Sequence, residues 1–327
     1  MHRRTVLASV ACGALPGALT RAPVAGFAAG GSSARSKAPL AAPGRFAQHW
    51  GAPVGAPAGA APSDGADYPL VEIVAKDFSF AMPAEVPGGL TRFTLLNRGA
   101  FAHHVIFLRL RDGVSQAEID AAAGEPDYLA LLALGEPFGG PNAAPAGGAA
   151  TAIVDLSPGD YRVLCVIGDD EGVPHYRHGM IAPLAVTPAP AARPAPEADL
   201  TVQLRDYAFT GLPSELPAGE HVWEITNAGP ETHELVVFRQ SPGVTFEMVL
   251  GGFGIATEAT PGAGAAPPPG PPFLDVGGVT PMAAGVTNWA LLDLTPGAYF
   301  AICFVLSPNR DHVPHFAFGM IQPLTIT

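Results

Sequence analysis

Three cysteines in 327 residues are too few for a disulfide-stapled scaffold, and no two of them have Cys-x-x-Cys zinc spacing. Charge is also scarce. Only 14% of residues are Asp, Glu, Lys or Arg, and 17 basic side chains face 29 acidic ones. A formal charge of -12 suits no phosphate-backbone binder, so nucleic acid is excluded as a partner. The chain lacks a strongly apolar run of the roughly 18 residues needed to span a bilayer, so no transmembrane segment is expected. Glycine (39) and proline (36), by contrast, are plentiful, close to a low-complexity composition. Because 48% of residues are hydrophobic, disorder is expected to be local. At roughly 150 residues per domain, the length suggests two domains.

The start is organised as an address. His2-Arg3-Arg4 precedes an apolar stretch, Thr5 to Ala14, and small residues follow to Gly31. This pattern predicts a secretory signal over 1–28, and the Arg pair resembles a twin-arginine signal. Export to the periplasm or outside the cell is the expected localisation. Cys12 is read as a small residue of the signal rather than a lipid-anchoring site. Residues 29–67, rich in Ala, Gly, Pro and Ser, read as a flexible tether.

The remainder is one pattern written twice. Asp77 matches Asp206, Pro87 matches Pro217, Asn97 matches Asn227 and His103 matches His233. Further on, Pro158 matches Pro296, Cys165 matches Cys303, His175 matches His315 and Met180 matches Met320. The predicted domains are 68–187 and 199–327, joined by an extended Pro-rich linker at 188–198. Within a copy, short β-branched and aromatic runs alternate with turn signals such as Ser157-Pro158-Gly159. They predict an all-β chain of two tandem Greek-key sandwiches. A short helix interrupts each copy. Ser115-Gln116-Ala117-Glu118 forms a capping box ahead of Ile119 and Ala122, and Thr245 to Leu250 is the counterpart. The Gly/Pro segments 138–150 and 259–272 read as surface insertions. Phe93 and Trp223 share a repeat position and read as core.

Each copy places a His, a Cys, a second His and a Met at equivalent positions: His103, Cys165, His175 and Met180, then His233, Cys303, His315 and Met320. Two imidazoles, one thiolate and a distant thioether suit type 1 copper, because that donor set accepts both oxidation states. Zinc would accept the nitrogen and thiolate donors, but Met is a poor ligand for it. A disulfide between Cys165 and Cys303 is not expected, since equivalent buried positions of separate sandwiches do not meet. His104, His178, His221 and His312 have no repeat partner and read as surface or strand-end residues. Asp169, Asp170 and Glu171 read as solvated loop charges.

Asn97-Arg98-Gly99 leading to His103, and Pro158-Gly159-Asp160-Tyr161 leading to Cys165 and then His175-x-x-x-Gly179-Met180, resemble the motifs of the cupredoxins, the plastocyanin-like blue copper proteins. The second copy repeats them from Asn227 to Met320. The resemblance implies the eight residues above as copper ligands and single-electron transfer as the function, with the acidic surface meeting a basic redox partner. Two departures stand out. Nine residues separate Cys165 from His175, and eleven separate Cys303 from His315, where plastocyanins use far fewer; copper nitrite reductases show that a longer loop can hold the metal. The residue after the first His is His104 or Glu234, where plastocyanins place the Asn that tethers the ligand loop. Linked cupredoxins also build multicopper oxidases and nitrite reductases, whose signatures are His-x-His pairs and a His beside the Cys. Neither copy has them, so the expectation is no enzyme. The alternative is a non-redox module, either copper-sequestering or metal-free.

Overall fold

A computed structural model describes residues 67–255 and 270–327. The signal expected at 1–28, all but the last residue of the tether at 29–67 and most of the loop at 259–272 lie outside them. The strands of the first copy are β1 (Leu70–Lys76), β2 (Ser79–Ala81), β3 (Glu85–Pro87), β4 (Gly89–Asn97), β5 (Ile106–Leu110), β6 (Gly135–Pro137), β7 (Ala149–Leu156), β8 (Gly159–Leu164) and β9 (Ile181–Thr187). Those of the second are β10 (Leu200–Arg205), β11 (Ala208–Thr210), β12 (Glu215–Leu216), β13 (Gly219–Asn227), β14 (His233–Gln240), β15 (Phe273–Met282), β16 (Thr287–Leu294), β17 (Gly297–Ile302) and β18 (Ile321–Ile326). The helices are α1 (Gln116–Ala123), α2 (Leu129–Leu132) and α3 (Phe246–Gly252).

Alternation along β4 sends Phe93 and Leu95 into a core shared with Phe107, Tyr161 and Val163. Trp223, Ile225, Val237 and Tyr299 do the same in the second copy. Each core lies between two sheets. One sheet of the first sandwich has the order β3-β9-β8-β5-β6, and the matching sheet of the second has β12-β18-β17-β14-β15.

The remaining strands do not form two further sheets. They join in one eight-stranded sheet, β11-β10-β13-β16-β7-β4-β1-β2. Its centre is the antiparallel pair β7 and β16, where Thr151 faces Leu291 and Ile153 faces Trp289. Both copies accordingly fall in one compact unit. The segment 188–195 runs exposed beside this unit, tied down by Tyr68 donating to the Pro194 carbonyl at 2.9 Å and by Arg193 donating to the Asp67 carbonyl at 3.0 Å.

One local expectation needs correction. Residues 139–144 are buried, not a surface insertion. Their backbone pairs with β15 across the copies: Asn142 N–H donates to Gly278 O at 3.2 Å and Thr280 N–H to Gly140 O at 3.1 Å. Strand β5 starts at Ile106, because His103 pairs with Ala144 and Val105 N–H turns to Pro141 O. The helical stretch of the first copy breaks into α1 and α2 around Pro126, as a proline inside it predicts, and the Ser115–Glu118 capping box is formed in both directions.

Candidate metal centres

The first His of each copy is set by the turn before it. Asn97, fully buried at the end of β4, donates to the carbonyls of Phe101 (2.7 Å) and Ala144 (2.9 Å) and accepts from Gly99 N–H (2.8 Å). This folds the chain back so that His103 Nε2 meets Asp77 Oδ1 at 2.8 Å. A Cβ on Gly99 would lie 2.2 Å from that oxygen, so only glycine leaves the carboxylate room. In the second copy Asp206 Oδ1 holds His233 Nε2 at 2.7 Å beside Gly229. In each case the carboxylate takes the Nε2 hydrogen and leaves Nδ1 as a lone-pair donor.

The other donors come from the loop after β8 or β17. Cys165 is followed by a hairpin closed by the Gly168–Pro174 bridge, then by a 3-10 turn, His175–His178. Gly179, at φ 102°, reverses the chain so that Met180 N–H reaches His175 O and Met180 O accepts from Cys165 N–H at 3.2 Å. Gly319, at φ 107°, does this for Met320 and Cys303. All eight residues that the sequence singles out are fully buried.

His103 Nδ1 and His175 Nδ1 lie 3.1 Å apart, with Cys165 Sγ 3.5 Å from the latter. The second copy gives 2.9 Å between His233 and His315 Nδ1, and 3.5 Å to Cys303 Sγ. Each set of three donor atoms falls within 4.8 Å of one another, an arrangement a single ion could bridge. Burial, and then the neighbouring His103, push His175 down to about 4; burial and His233 do the same to His315. Both imidazoles are therefore neutral donors at pH 7. Burial pushes the Cys165 thiol up to about 12, so it gives up its proton only to a cation. Two imidazoles and a thiol, with a Met buried in the same core as the Cys, fit copper.

The second environments differ. His175 Nε2 is buried without a hydrogen-bond partner among the described residues, under Phe78 and Phe101. His315 Nε2 instead meets Glu231 Oε2 at 3.0 Å, beside Tyr207.

Reading the residues in order missed Asp77, Asp206 and Glu231 as partners of the imidazoles. The signal for the first two was present, since they recur in the repeat. His104 and His221 are buried, against expectation. His104 Nε2 accepts the Val166 N–H at 3.0 Å, and Glu234 Oε1 accepts the Phe304 N–H at 3.0 Å. They take over the loop tether for which plastocyanins use Asn. Asp169 is no free loop charge either: it accepts from the amides of Glu171 and Val173 and pairs with His178 at 2.8 Å.

No family model and no curated protein matches the chain. Among solved structures, a reduced auracyanin from Roseiflexus castenholzii is 22% identical over 36% of this chain and 97% of its own, with a TM-score of 0.26. A multicopper oxidase is 14% identical over 79% of this chain and 88% of its own, at 0.23. A copper nitrite reductase from Nitrosomonas europaea is 16% identical over 79% and 93%, at 0.22. Both copies are cupredoxin-like.

The expectation of no enzyme is corrected by these neighbours, since those spanning 79% of the cupredoxin-like chain carry the names of enzymes. Absence of His-x-His within a copy tests only residues close in sequence. The fold converges others between the copies, where His104, Tyr128, Asn142, Val166, Glu234 and Phe304 line a cavity of about 140 Å³. Among the described residues no helix is long and apolar enough to cross a membrane.

Proposed function

We propose that each copy holds one type 1 copper ion and that the chain passes single electrons through these sites. The observation that carries this reading is the paired convergence of two Nδ1 atoms and one Sγ, buried, in both copies. Bound copper supplies a one-electron couple at that donor set. Asp77 and Asp206 orient the first imidazole, the Gly179 and Gly319 turns bring in the Met, and the aromatic side chains over His175 and His315 exclude water. His103, Cys165, His175 and Met180 are the ligands proposed for one ion, and His233, Cys303, His315 and Met320 for the other. Export by the signal-like start supports delivery to an oxidising compartment, and the net charge of -12 suits a basic redox partner.

The test is a visible and EPR spectrum after Cu(II) loading, with copper counted on the same sample. Two ions per chain and an intense thiolate-to-copper band, halved in Cys165→Ser or Cys303→Ser and gone in the double variant, are expected. Retained Cu(I) with no oxidised form would indicate sequestration. No retained copper at all would sink the reading.

A further inference from the structure

The two centres share a buried polar link. Val166, next to Cys165, donates its N–H to His104 Nε2 at 3.0 Å. Accepting at Nε2 leaves the His104 hydrogen on Nδ1, which donates to the Asn142 side-chain oxygen. Asn142 Nδ2 then donates to Glu234 Oε2 at 3.2 Å and to Val279 O at 3.0 Å. Glu234 Oε1 accepts from the N–H of Phe304, next to Cys303, at 3.0 Å. All three side chains are less than a tenth exposed. His104 and Asn142 line the same cavity, and the path from one cysteine residue to the other crosses between the copies at Asn142–Glu234. Backbone tethers complete it, since His104 N–H and Glu234 N–H each point at their own cysteine Sγ at 3.5 Å.

Loop anchoring alone does not require this arrangement. One acceptor per copy for the Val166 or Phe304 amide would do, and an Asn at each position could supply it. Here the two acceptors are long, unlike each other, and matched to the two ends of one amide. The position related to Asn142 by the repeat is Thr280, whose hydroxyl donates to Val105 O at 2.8 Å. That contact ties the same interface together but touches neither His104 nor Glu234.

We infer that His104, Asn142 and Glu234 form the bridge by which an electron crosses between the two metal centres. The inference rests on the copper reading above. In the step, one electron leaves Cu(I) in one copy and arrives on Cu(II) in the other. No covalent bond changes and no proton moves, since every hydrogen in the bridge keeps its donor. The first electron comes from an external one-electron donor.

The experiment uses the full chain loaded with two coppers and a substoichiometric photoreduced flavin as that donor. Freeze-quench EPR follows electron redistribution, with the two signals assigned from the single cysteine variants. Wild type is expected to show a fast phase independent of protein concentration. Asn142→Leu, which keeps the volume but removes the bridge, should lose that phase while both copper bands and the copper count persist. Thr280→Val, which loosens the interface without breaking the bridge, should keep it. Asn142→Ala serves if the leucine variant does not fold.

In the metal-free protein, the His104 ring N–H should exchange slowly by NMR in wild type and fast in Asn142→Leu. A fast phase undiminished in Asn142→Leu overturns the bridge, as does equal slowing in Thr280→Val. Absence of any copper band in wild type sinks the copper reading and the bridge with it. A normal band with unaltered redistribution sinks the bridge alone.

Discussion

Asp77 and Asp206 each grip an imidazole by the nitrogen that faces away from the donor cluster. Removing such a partner frees the ring to rotate and lowers its basicity, which typically costs about 10–100-fold in metal affinity. Asp77→Asn and Asp206→Asn are each expected to weaken copper at their own copy by that order, measured by chelator competition. Gly99→Ala should act similarly, because its methyl would displace the Asp77 carboxylate. Glu231 has another effect. Its negative charge on His315 stabilises the more positive ion, and His175 Nε2 has no such partner among the described residues. The second centre is therefore expected to have the lower reduction potential, and Glu231→Gln should raise it toward the first in a redox titration. The ligands themselves were legible because rare residue types recur together. Glu231 was not, since its counterpart two places before His103 is Phe101 rather than an acid, and no repeat signal marks it.

Elements were legible where their cause is local. The Ser115–Glu118 box sets the start of α1, so Ser115→Ala should destabilise the protein by about 0.5–2 kcal/mol in denaturant titration. The hairpin between Cys165 and His175 depends on Asp169. Burial pushes this carboxyl up, but the Val173 amide, His178 and the Glu171 amide outweigh it, so its value lies below the ordinary range. Its folded-state pKa is the depressed one. The stability it confers is present above the ordinary carboxylate range and lost as pH falls through the lowered value. Asp169→Asn is expected to flatten that acid limb, read from melting temperature against pH. The 139–144 segment was misread because its Gly, Pro and Ala composition marks a loop whether or not another backbone pairs with it. Its partner, β15, lies more than a hundred residues away in sequence.

At the scale of the whole molecule, the repeat foretold two sandwiches but not their union. Alternation along β7 and β16 is the same whether a strand ends a sheet or sits inside one, so the pairing left no local trace. One consequence is cooperative unfolding: calorimetry of the metal-free protein is expected to show a single transition for both copies. Proteolytic nicking within 188–195 should leave the two fragments together on size exclusion. The shared sheet also bears on what a single copy could do alone. Cut free, the first copy would present β7 as an open edge, and Ala149-Ala150-Thr151-Ala152-Ile153-Val154 carries no charge to discourage a wrong partner. Such a fragment is expected to pair with another of itself. Duplication within one chain makes that appetite harmless, because each copy occupies the other's vulnerable strand from the moment both are made.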